Sequence, residues 1–159
     1  MNVEKPKTIE RQGKNRERLL SLEKEGRYVF HGSPDDIAVL QPRQAYNRSE
    51  KTGIIEKDGD PAVFATPYAD IAIFRALINT KAVTEASTSQ FGMDNDRLFF
   101  SATNNLLEAA RAKIGKVYVL DRRKFHNFEG MQCRSEEINE PIEVIEVNVD
   151  DLPKNIEKI

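Results

Sequence analysis

The chain has 159 residues, 39% hydrophobic and 31% charged, which suits one compact domain with its own core and excludes a disordered segment. Lys and Arg number 24 against 26 Asp and Glu, so the net charge of -2 supplies no global field for a phosphate backbone. The lone Cys133 excludes an internal disulfide and a cysteine-rich zinc site; with no leader-like segment and no apolar run of about 18 residues, a cytoplasmic address away from membranes is expected.

Met1 to Thr8 is polar. From about Ile9 to Glu25, helix formers carry Leu19, Leu20 and Leu22 in a narrow apolar stripe, and Gly26 ends the segment. A surface helix is expected, so 1–26 reads as a basic N-terminal segment, 27–153 as the single domain and 154–159 as a tail. The segment 1–26 holds seven basic and five acidic residues, whereas 135–159 holds eight acidic and two basic, a contrast that two solvated surfaces account for.

Arg27 to Phe30 predicts a strand stopped by Gly32, Ser33 and Pro34. Leu40 to Pro61 is polar and lacks a period, which predicts a long functional or mobile loop. Ala62 to Thr66 predicts a second strand, and from Pro67 onward Ile71, Phe74 and Ile78 recur at helical spacing. Val83 to Arg97 reads as another mobile loop. Then come a strand from Leu98, a helix closed by Gly115, strands at Lys116 to Leu120 and Ile142 to Val149, and a weaker one near Met131 to Ile138. This order has no βαβα alternation and no GxGxxG, which points to an α+β fold and away from a doubly wound dinucleotide fold.

Two short stretches carry chemistry. In "YVFHGS", His31 puts an imidazole at a strand end, where a ribose hydroxyl could pair with it, and Gly32 lets the backbone approach a flat amide. In "GDPAVFATPYADIAIF", Phe64 and Phe74 offer rings that could stack on a planar cation, although a strand and a helix both need apolar faces and at least one ring should be buried.

Together, and in this order, the two stretches resemble the first two motifs of the ADP-ribosyltransferase superfamily, in its diphtheria-toxin-like and poly(ADP-ribose)-polymerase-like branch, over roughly residues 27–75 with a weaker echo at 134–152. The resemblance implies two packed, mainly antiparallel sheets with flanking helices, and a cleft for NAD as substrate. It implies that His31, Gly32, Ser33 and Thr66 line that cleft and that Phe64 or Phe74 stacks on nicotinamide. The family's third motif is a glutamate on a late strand, placed where positive charge develops as nicotinamide leaves. Glu137 is the first candidate, Glu136 the next and Glu140 the third; neighbours on a strand face opposite ways, so at most one of Glu136 and Glu137 points inward.

Val63 and Ile71 depart from the branch, which commonly has a tyrosine and a serine there; they motivate a binding-only module as the alternative to a transferase or NAD glycohydrolase. Arg43, Tyr46 and Arg48 are candidates for the adenosine or diphosphate end. The implied partners are NAD and a protein, nucleic-acid or small-molecule acceptor that the sequence does not identify. A related reaction, transfer of an RNA 2'-phosphate to NAD, shares the His-Gly start but calls for several arginines in the cleft.

Two histidines, His31 and His126, suggest no zinc site. Cys133 with His126 could form a nucleophilic pair, but a buried thiol is the commoner case. "DRRKFH" is a basic cluster of the kind that meets phosphate, though without interleaved aromatic readout it is weak support for nucleic acid.

Overall fold

A computed structural model describes residues 13–48 and 52–159. In these residues helix α1 (Lys14–Glu25) leads to β1 (Tyr28–Ser33), β2 (Arg43–Arg48), β3 (Ile55–Ala65) and α2 (Ala69–Leu77). Strands β4 (Ser89–Asp94) and β5 (Arg97–Ala102), α3 (Asn104–Ala110), β6 (Gly115–Asp121), β7 (Cys133–Ser135), β8 (Glu143–Val147) and β9 (Ile156–Lys158) complete the order. The architecture is mixed α+β. Its strands form three small sheets where two were expected, ordered β1-β6-β8, β2-β3-β7 and β4-β5-β9, and every pairing except β5 with β9 is antiparallel.

Strand alternation divides the interior. Phe30, Val117 and Val119 face a large core closed by α1 and α2, whereas Val29, Tyr118 and Leu120 face a smaller one with Val63, Ala65, Phe125 and Cys133. β1 and β6 are thus covered on both faces, which explains their unbroken apolar runs.

Three expectations change, and a fourth gains detail. Helix α1 lies on the surface of the domain with Glu17, Arg18, Ser21 and Lys24 exposed, and is tied down on its inner face: Leu19 is fully buried, Arg16 makes a two-pronged ion pair with Asp70 on α2 (2.8 and 2.9 Å), and the Glu23 carboxylate accepts the Ala69 N–H at 2.7 Å. That last bond satisfies one of the free amides of α2's first turn, which Tyr68 at the N-cap leaves without a side-chain acceptor. The segment read as a long loop from Leu40 to Pro61 contains β2 and most of β3, an antiparallel ribbon. The second expected loop contains β4, joined to β5 through Asn95 and Asp96, both at positive φ (52° and 62°) as a tight hairpin turn requires. The expected C-terminal tail contains β9, alongside β5. No helix among the described residues is long and apolar enough to cross a membrane.

Candidate functional site

The site forms where the end of β3 is held against β1. Phe30 and Thr66 exchange backbone hydrogen bonds (2.8 and 2.9 Å), and one residue further along β1 the His31 ring reaches the Phe64 carbonyl, Nδ1 to O 2.7 Å. A carbonyl only accepts, so Nδ1 carries the proton and neutral His31 keeps Nε2 as an acceptor. Burial lowers the His31 pKa from its ordinary value, and the positive charges of Arg75 and Arg43 lower it further, against the opposing Phe64 hydrogen bond. The ring is therefore a neutral acceptor at physiological pH.

Around it opens a cavity of about 230 Å³, walled by His31, Gly32, Phe64 and Thr66, floored by Ile71 of α2 and flanked by Arg75. Phe91 of β4 and the Glu129, Met131 and Gln132 side of the segment before β7 complete it. A second, more open space of about 650 Å³ adjoins the first and is lined by the same His31, Gly32, Arg75 and Phe91, so Arg75 borders both parts of the cleft. No carboxylate among the described residues pairs with Arg75; its guanidinium carbon lies 6.0 Å from the Phe91 ring centre, and loss of solvent around it lowers its pKa.

Gly32 is required first by packing. A Cβ there would stand 1.8 Å from the Ala72 carbonyl oxygen, so β1 and α2 meet only because the side chain is missing. Val63 and Phe64 separate by strand alternation: Val63 is buried in the small core, while half-buried Phe64 fronts the cavity beneath the Arg134 guanidinium, 5.4 Å from its ring centre. Thr66 is buried at the rim with its hydroxyl accepting from the Tyr68 N–H (3.1 Å). Phe74 is 2% exposed and packs on Phe100 and Phe91, so it serves chiefly as core and only borders the larger space.

Other sequence candidates lie elsewhere. Ser33 accepts the Asp35 N–H and lines neither space. Arg43 and Tyr46 are exposed on β2, outside both, and the Arg48 side chain falls outside the described ones. Glu136 pairs with His126 (2.6 Å) and Arg134 (3.3 Å); Glu137 and Glu140 are exposed, and none of the three borders the cleft. The acidic residue that does is Glu129, and the residue delivered from the edge of β7 is Gln132. Burial pushes the Cys133 thiol up to about 12, which removes it as a nucleophile at neutral pH.

Five residues that wall the 230 Å³ cavity escaped the sequence reading as site residues: Arg75, Phe91, Glu129, Met131 and Gln132. Arg75 had a usable signal, since it lies one helical turn beyond Ile71 on the same face of α2. The others sit in segments without a period. Among the described residues no group of three or more His, Cys, Asp or Glu is placed to hold a metal ion. No family model, curated protein or solved structure matches this chain.

Proposed function

We propose that the cleft binds NAD, with the nicotinamide riboside in the 230 Å³ cavity and the diphosphate at Arg75 on the way into the larger space, and that the domain cleaves the nicotinamide-ribose bond for ADP-ribosyl transfer or NAD hydrolysis. The observation that carries this reading is the convergence of a neutral imidazole, the glycine backbone, the Phe64 ring and one carboxylate on the same small cavity. Phe64 stacks on the pyridinium, and His31 Nε2 accepts from a ribose hydroxyl. Arg75 pairs with no carboxylate among the described residues and gives a diphosphate a charge-assisted partner. Glu129 supplies the negative charge that faces the ribosyl cation as nicotinamide leaves.

An assay of nicotinamide release tests this with wild type, Glu129→Gln, Glu136→Gln and Glu137→Gln. The reading expects Glu129→Gln to lose on the order of 100-fold in rate, the scale of removing one transition-state partner, with the other two close to wild type. Absence of NAD binding by folded wild type would end it.

Ile71 favours a second reading, a binding-only domain, because an apolar side chain lines the cavity where the resemblance calls for a serine hydroxyl to orient the carboxamide. Calorimetric binding of NAD with no nicotinamide release would select it.

A further inference from the structure

The basic stretch at residues 121–124 stands alone in the sequence, but the fold brings aromatic and cationic side chains to it from elsewhere. A groove of about 560 Å³ opens between the start of β1 and the turn after β6, walled by Arg27, Tyr28, Arg122, Arg123, Phe128 and Ile142, with Asp121 the one carboxylate on its wall. The Arg122 N–H donates to the Arg27 carbonyl at 3.1 Å, which fixes the two arginine-bearing segments side by side.

The three guanidinium groups are not equivalent. Arg123 grips Asp121 through three side-chain bonds (2.8, 3.1 and 3.3 Å), and Arg27 reaches Glu25 and the Tyr28 hydroxyl (2.9 and 2.8 Å). Arg122 has no carboxylate partner among the described residues; its guanidinium carbon lies 4.3 Å from the Phe128 ring centre, and Arg27 lies 5.2 Å from that of Tyr28. A close guanidinium-on-ring contact, Arg122 on Phe128, and a longer one, Arg27 on Tyr28, therefore flank a groove in which Arg122 carries the positive charge that no carboxylate among the described residues offsets. Such planes accept nucleobases by stacking while their N–H groups take phosphate oxygens, two contacts that an acidic peptide would use only in part. Ile142, 57% exposed, adds an apolar wall for a base or sugar.

We infer that this groove is a binding site for a single-stranded nucleic acid, with Arg122 on a phosphate and the Arg122–Phe128 and Arg27–Tyr28 stacks against bases. It is separate from the NAD cleft and does not depend on that reading. The two sites nevertheless share one segment: Phe128 borders the groove and its neighbour Glu129 borders the cleft.

Fluorescence anisotropy with labelled single-stranded oligouridylate and oligothymidylate of about eight nucleotides tests the site. Wild type is expected to bind with an affinity that falls as salt rises. Arg122→Gln should weaken binding about tenfold and reduce the salt slope by about 0.7 to 1, the loss of one phosphate contact. Arg122→Lys should keep the slope but lose affinity, because the charge stays and the flat stack goes. Arg75→Gln, in the other cavity, should bind the strand as wild type does. No salt-dependent binding by folded wild type, an unchanged Arg122→Gln, or an equal loss in Arg75→Gln would each overturn the site. Competition by free AMP as effective as competition by unlabelled strand would overturn its assignment to a strand.

Discussion

At Gly32 a methyl group would overlap the backbone of Ala72, which cannot rotate away as a side chain would. Gly32→Ala should therefore cost about 1 to 3 kcal/mol in denaturant unfolding, the range for overpacking a core, whether or not a ligand is present. Next to it, His31 gives stability a pH dependence of definite sign. Its native pKa lies below the ordinary 6.5, so between the two values the unfolded chain binds a proton that the native chain refuses. Its contribution is complete above about 6.5 and is lost as pH falls through the native pKa. His31→Gln should flatten unfolding free energy against pH in that acid window. His126 has the opposite sign, since the Glu136 hydrogen bond raises its pKa, but the two side chains are 50% and 48% exposed and screening leaves the pair little effect. His31, Gly32, Phe64 and Thr66 could be read from the sequence because strand chemistry and spacing brought them together in order. Arg75 was hidden because an exposed arginine on an amphipathic helix looks like any solvated surface residue until the segments that wall the cleft beside it are in place.

At the scale of elements, the two hairpins show where periodicity fails. The β2–β3 ribbon exposes Tyr46 and Ile55 at 59% and 58%, so no buried face imposes an apolar alternation, and its sequence has the composition of a loop. The β4–β5 turn did leave a trace in Asn95 and Asp96, residue types that tolerate left-handed backbone. Asp96→Gly should hold or raise stability by up to about 1 kcal/mol, whereas Asp96→Val should lower it by roughly 1 to 2 kcal/mol, measured by thermal unfolding. Helix α1 is a surface helix with a thin stripe of three leucines, yet Leu19 lands fully in the core, and Arg16 and Glu23 tie the helix to the start of α2. Leu19→Ala should cost about 2 to 5 kcal/mol, the scale of a core cavity, where a surface leucine would cost a few tenths. Because α2 carries Ile71 and Arg75 into the cleft, α1 supports the site without touching it.

For the molecule as a whole, the cleft sits where β1, the end of β3, α2 and β4 converge, each from a different part of the chain, with the segment before β7 closing one side. Local pattern located the strands that bear the motif but not the partners that complete it, because which distant segment faces which is decided by packing. The same limit explains Glu136 and Glu137: both lie close to β7, yet the chain turns Glu136 toward His126 and presents Gln132 and Glu129 to the cavity instead. The most direct test is a crystal structure of the protein soaked with NAD. The account predicts the nicotinamide ring against Phe64 with its ribose within hydrogen-bonding distance of His31, and the diphosphate at Arg75. Bound NAD lying away from His31 and Phe64, or core side chains filling the 230 Å³ space, would contradict it.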